Sequence, residues 1–184
     1  MSRQEFDSFR EAACLCGAGQ ITRHVESTDY PFGGANVSYT LDCPVCARDW
    51  RLDHGTLVNK QSEKEYTALS AELHALMAEL VPLAAAMITS HFAALNLPSK
   101  KAELRALESL GLYNGTYAAY TKARREGEPI GKIVWPLRNE AWLVSVAGKD
   151  QRAGLEGALT QRAELEAAQS KAAAKIIRKR VLRG

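Results

Sequence analysis

Aromatic side chains make up only 7% of the 184 residues, and alanine is abundant towards the C-terminus, which favours helices over a large aromatic-packed sheet. Net charge is also scarce. The 24 Lys+Arg against 21 Asp+Glu leave +3, too little by itself to call for a polyanionic partner. The first residues, Met1 to Asp7, carry acids where a secretion signal has a basic start, and no apolar run follows. A cytoplasmic location with reduced thiols is therefore expected. The longest apolar stretch, Leu80 to Leu97, is interrupted by Pro82, Thr89, Ser90, His91 and Asn96. It falls short of the roughly 20 strongly apolar residues of a spanning helix, so a buried or self-associating helix is expected and no membrane partner.

Catalytic patterns are missing as well. The histidines His24, His54, His74 and His91 are scattered, and no His-Glu-x-x-His, Gly-x-Ser-x-Gly or phosphate-binding loop occurs. The chain is expected not to be an enzyme. Two faint exceptions exist. His24-Val25-Glu26 ahead of Cys43 and Cys46 is similar to a zinc-deaminase signature, but Asp42 replaces its proline and Cys14 and Cys16 are left without a role. Asp49, Asp53 and His54 could serve a nuclease, a weaker alternative.

What is present begins with the cysteines. All four lie in one short segment, as Cys14 and Cys16, then Cys43 and Cys46. Two close pairs on two tight turns match the ligand pattern of a tetrahedral zinc site. Gly17 can take the positive φ that aims backbone N–H groups at sulfur, and Pro44 stiffens the second turn. His24 or His54 replacing one cysteine of the first pair is an alternative ligand set. Disulfides and a redox Cys-x-x-Cys are others, but they want an oxidising compartment or a βαβ context. Around the pairs the pattern alternates as in strands. Ile21, Arg23 and Val25 share one face, Val37, Tyr39 and Leu41 share another, and Trp50 and Leu52 begin a third strand. Residues 29–34 read as a loop. Strand, cysteine turn and strand in this order resemble a zinc ribbon over residues 12–58, with Cys-x-Cys in place of the commoner Cys-x-x-Cys at the first turn. The resemblance implies one structural Zn2+ held by Cys14, Cys16, Cys43 and Cys46, with no open position for catalysis.

From Ser62 onward the period becomes helical. Tyr66, Leu69, Leu73, Leu76 and Leu80 make a heptad-like stripe, so residues 62–97 are expected either to pack internally or to form a homodimer contact. Pro82 kinks this helix or starts another. Ser99 is a candidate N-cap for Lys100 to Leu110, Gly111 ends that helix, and Thr116 starts a second helix reaching Arg125. An inward face is expected from Leu104, Leu107, Leu110, Leu112, Tyr117 and Tyr120. The segment 99–125 resembles a helix-turn-helix, although Leu107 stands where a small residue is usual, and a plain helical hairpin is the alternative. That resemblance implies nucleic-acid contacts from Asn114, Thr116, Lys122, Arg124 and Arg125. Residues 128–148 read as a small hairpin or irregular cap whose Trp135 and Trp142 anchor packing.

Charge is strongly polarised along the chain. Residues 1–98 hold seven basic and twelve acidic side chains, residues 99–184 seventeen and nine. Residues 149–184 read as a basic C-terminal helix in which Lys171, Lys175, Arg178, Lys179, Arg180 and Arg183 meet no acid after Glu166. These cations could neutralise phosphates, or simply complement a helix end. The expectation is an α+β protein: a four-cysteine ribbon in 1–61, followed by a mainly helical domain in 62–184. Its expected function is a zinc-stabilised, non-catalytic nucleic-acid-binding regulator, with DNA as the expected partner. The alternative is an interaction module or inhibitor docking on a nucleic-acid-processing protein complex.

Overall fold

The computed structural model describes residues 4–28 and 34–180. The architecture is α+β, with strands in the cysteine-bearing N-terminal region and a mainly helical remainder. The elements are β1 (Gln4–Ala13), β2 (Gln20–Thr28), β3 (Asn36–Leu41), α1 (Pro44–Asp49), β4 (Trp50–Asp53), β5 (Thr56–Asn59) and α2 (Lys60–Leu95). There follow α3 (Lys100–Ser109), α4 (Tyr117–Arg125), α5 (Ile130–Ile133), α6 (Glu140–Val146), α7 (Lys149–Ile176) and β6 (Ile177–Arg180). Two compact units result, residues 1–70 with 167–184, and residues 71–166.

The first unit holds two antiparallel sheets, ordered β1-β2-β3 and β4-β5-β6. In the first sheet Arg23 lies opposite Tyr39 and Val25 opposite Val37, which puts the two same-face sets on one face of the sheet. Of the expected loop at residues 29–34, residues 29–33 fall outside the described residues. Strand β1 has no counterpart in the sequence reading, because Phe6 and Phe9 are three apart and show no period of two. Both phenylalanines are exposed. The β4–β5 hairpin turns on His54 and Gly55, both at positive φ (43° and 75°), the signature of a two-residue type I′ turn. Asn59 then starts α2, its Oδ1 accepting from the Ser62 N–H at 2.9 Å. Arg51 on β4 makes a bidentate contact with Glu63 (2.6 and 3.0 Å) and a 3.1 Å contact with Asp53. The hydrogen bonds from Arg51 hold the Glu63 carboxyl below its usual range.

The C-terminus departs from expectation. Helix α7 ends at Ile176, and Ile177–Arg180 pair with β5 as an edge strand, Lys179 opposite Leu57 and Arg180 opposite Thr56. The β-branched Ile176-Ile177 pair ends the alanine-rich helix former run, and the open edge of β5 offers the ladder partner. Ala172 on the last turns of α7 is buried, and Gln169 donates to Ser70 at 2.7 Å within this unit.

The second unit is built on α2. Leu80, Ala84, Ile88 and Phe92, spaced by four, pack with Leu104, Leu107, Leu112, Tyr120, Leu143 and Leu155 into one core. Helix α2 runs unbroken through Pro82, whose ring points to solvent between the buried Leu80 and Ala84. By length and composition alone α2 could also cross a membrane, with hydropathy 1.5 over its most apolar window. In the stripe expected to pair, Tyr66 is exposed, Leu69, Leu73 and Leu76 are half-buried, and Leu80 is fully buried.

Residues 128–148 form two short helices and not a hairpin. The strand-like runs around Val134 and Leu143 are three residues long, and Asn139 between them caps α6, accepting from the Trp142 N–H at 3.1 Å. Trp142 packs on His91 and Phe92 as expected of an anchor. Trp135 does not; it is half exposed, with the Arg138 guanidinium 4.5 Å from its ring centre. Gly131 lies so close to α2 that a Cβ there would meet the Ala85 carbonyl oxygen at 2.0 Å. Its N–H donates to Thr89 Oγ1 at 3.0 Å. Gly131→Ala should therefore force backbone apart and lower the stability of this unit by about 1–3 kcal/mol, measured by urea unfolding. An unchanged midpoint would show the contact to be slack.

Candidate metal centre

The four cysteines are carried by two turns. Cys14 and Cys16 sit in the turn between β1 and β2, where Gly17 at φ 77° reverses the chain and its N–H donates to the Cys14 carbonyl at 3.0 Å. Cys43 is the N-cap of α1, Pro44 its first residue, and Cys46 lies one turn on, so a short helix presents both sulfurs on one side. The Asp42 N–H donates to the Gln20 carbonyl at 2.9 Å, and this bond draws the second turn against the first.

All four Sγ atoms lie within 4.8 Å of one another, with Cys14 to Cys16 at 3.2 Å and Cys16 to Cys43 at 3.5 Å. None is bridged by a disulfide. Sulfurs at the corners of a tetrahedron around an ion, each about 2.3 Å from it, stand roughly 3.8 Å apart. The spacings of 3.2 and 3.5 Å fall a little below that edge and all four sulfurs lie within 4.8 Å of one another, so the group could hold a metal ion. Cys14, Cys43 and Cys46 are buried and Cys16 is exposed.

Two further features fit a metal. Gly19 donates its N–H to Cys14 Sγ at 3.1 Å, the type of bond that stabilises a thiolate ligand. Its missing side chain is equally important, because a Cβ there would meet Cys43 Cβ at 2.5 Å and the Asp42 carbonyl at 2.8 Å. Gly19 thus lets the two turns close on each other. Spacing alone points to Gly17 at this turn and gives no sign of the role of Gly19. The thiols also share protons unequally. Burial pushes Cys14 up, but hydrogen bonds with Cys16, the Gly19 N–H and Cys43 outweigh it and bring the thiol down to about 6. A backbone hydrogen bond involving Ala18 lowers Cys16, yet proton sharing with Cys14, Cys43 and Cys46 pushes it up to about 12. Four thiolates this close repel one another unless a cation sits among them.

Neither histidine considered as a ligand belongs to the group. His24 lies on β2, hydrogen-bonded to Ser8 (2.8 Å) and Thr40 (3.0 Å), and His54 is fully exposed in its hairpin turn. His24 is thereby also removed from the deaminase-like pattern, since among the described residues the candidate ligands are the four cysteines.

The basic candidates fall into two sets. In the second unit, Ser99 and Thr116 cap α3 and α4 as expected, each accepting an N–H at 3.2 Å. Thr116 is thus engaged as a cap. Tyr117, expected to face inward, is half exposed at the first position of α4, whose buried residue is Tyr120. Tyr120 donates to Glu103 at 2.8 Å, and burial followed by this bond raises its hydroxyl well above the usual range. Arg124 lies 3.5 Å from Glu103 and donates to the Glu128 carbonyl at 2.9 Å, while Lys122 reaches Glu126 at 4.0 Å. Asn114 and Arg125 are exposed. In the first unit, Lys171 and Lys175 are exposed one turn apart on α7, in no ion pair among the described residues. Arg178, Lys179 and Arg180 are on β6, and Arg183 lies outside the described residues.

Metal binding should depend on Gly19 as well as on the cysteines. Gly19→Ala is expected to weaken metal retention against a chelator by about 10–100-fold, and Cys43→Ser to abolish stoichiometric binding. Equal retention by all three proteins would exclude a site at this cluster. Comparisons with protein-family models, with curated proteins and with solved structures found no match for the chain.

Proposed function

We propose that the chain is a non-catalytic nucleic-acid-binding protein, a regulator acting on DNA, whose cysteine site is a structural zinc ribbon. An all-thiolate set suits Zn2+, which is borderline-soft, has no redox chemistry and accepts a tetrahedral shell. Four thiolates would leave no position for water or substrate, so the ion's contribution is folding energy. The reduced thiols agree with an intracellular setting.

One observation carries the nucleic-acid reading. The acid-free basic tract that starts at Lys171 does not trail off as an isolated helix end. It returns as β6 onto the β4–β5 hairpin, in the same compact unit as the cysteine cluster. The backbone of Ile177–Arg180 is thereby held in a sheet, and an ordered tract loses less conformational entropy on meeting phosphates than a loose tail does. Among the described residues Lys171 and Lys175 are in no ion pair. The second set is less available, since Thr116 serves as a cap and Lys122 and Arg124 already face carboxylates. Phosphate contact is accordingly assigned first to Lys171, Lys175, Arg178, Lys179 and Arg180. A supporting role falls to Arg125 and Asn114.

Titration of labelled duplex DNA across a salt series tests this reading. Lys171→Glu with Lys175→Glu should weaken binding at least tenfold on any sequence and reduce the slope of log K against log salt by about 2. Lys122→Glu should change both much less. No binding to duplex DNA at roughly 50 mM salt would reject the reading. So would binding indifferent to the paired substitution.

A further inference from the structure

The outer face of α2 in the second unit has an unusual composition. From Leu80 to Ser99 no Asp, Glu, Lys or Arg occurs, twenty residues in all. Yet Pro82, Leu83, Ala86, Ser90, Ala93 and Leu95 are exposed. A helix face open to water normally carries charge, and a contiguous uncharged one marks an interaction surface. Its relief is as telling as its composition. Ala86 and Ser90 form a ridge of small side chains shared by two grooves. On one side a cavity of about 680 Å³ lies between Val81, Ala85 and Thr89 of α2 and the segment containing Pro129, Val134 and Pro136. On the other, one of about 310 Å³ is bounded by Leu83, Met87 and Val146.

We propose that this face pairs with a second copy of itself, the two α2 helices running antiparallel about a two-fold axis beside Pro82 and Leu83. A patch with a knob, Leu83, next to a groove is self-complementary, which is what an isologous contact requires. Small residues on the ridge let two helix backbones approach closely, ridge into groove. Charge fixes the direction. Glu79 is the last charged residue before the uncharged stretch, and Lys132 is the one charged residue on the larger groove. Both are exposed and neither has an ion-pair partner in its own chain among the described residues. Gly131 touches α2 at Ala85, which sets Lys132 near the level of Ala86. An axis beside Pro82 and Leu83 brings Glu79 of one copy to that level on the other, so two Glu79–Lys132 pairs close the interface. A parallel arrangement would not bring them together. A helix-length contact with two flanking grooves buries on the order of 1,000 Å² in total, the lower end of specific interfaces, and micromolar association is expected.

Sedimentation equilibrium of the full-length, metal-loaded protein from about 1 to 100 µM tests the proposal. A monomer–dimer equilibrium is expected. Ala86→Arg should weaken it at least tenfold with the helical circular dichroism unchanged. Glu79→Lys and Lys132→Glu should each weaken it several-fold, and the two together should restore it. If Ala86→Arg misfolds, the exchange of these two exposed charges decides the matter alone. A chain that stays monomeric at 100 µM overturns the proposal, as does a double exchange that restores nothing. Co-flotation of metal-loaded monomer with neutral phosphatidylcholine vesicles, abolished by Ala86→Arg, would assign the face to lipid and overturn it too.

Discussion

Four sulfurs crowded within 4.8 Å are the constraint on which the first unit depends. As thiols they can share protons, through the contacts of Cys16 with Cys14 and Cys43. As thiolates they need a cation. The two turns that bring them together have little else to hold them. Among the described residues the apolar side chain packed beside the buried cysteines is Leu41, and in the first sheet the edge strands β1 and β3 are mostly exposed while β2 is half-buried. On the proposed reading, a metal–ligand set would supply the stability that so small a core does not.

The same constraint reaches the surface assigned to phosphate. The second cysteine turn leads directly into α1 and β4, and β4 pairs with β5, to which the basic strand β6 is bonded. Lys60 adds a tie between the start of α2 and α1, donating to the Ala47 carbonyl at 2.7 Å. The bidentate contact of Arg51 with Glu63 adds another between β4 and α2. Cysteine cluster, hairpin and basic tract are therefore successive links of one structure. The second unit is held differently, by an ordinary apolar core around Leu107, Leu112, Tyr120 and Leu143.

Much of this was legible in the residues. The cysteine spacing and the strand alternation around it identified the cluster and the strands β2 and β3, because both depend on short-range pattern. The caps at Ser99 and Thr116 were equally local, each being a hydroxyl that meets an N–H three residues on. What escaped was set by contacts distant in sequence. Gly19 matters because Cys43 crowds it, and β6 exists because β5 has a free edge more than a hundred residues away. The short helices α5 and α6 escaped for a related reason. Three-residue apolar runs do not distinguish strand from helix, and the choice fell to Asn139, which caps α6 while donating to the Leu110 carbonyl at 2.9 Å. Tyr117 and Trp135 show the limit from the other side, as aromatics whose exposure follows from the faces their neighbours occupy.

Hydrogen exchange of backbone amides, followed with the metal bound and after its removal, tests most directly that the cysteine site organises the first unit. Removal should unprotect β2, β3 and the β4–β5–β6 sheet together. The amides of Leu107, Tyr120 and Leu143 in the second core should keep their protection. Protection of the three-stranded β4–β5–β6 sheet that is the same with and without metal would contradict the account.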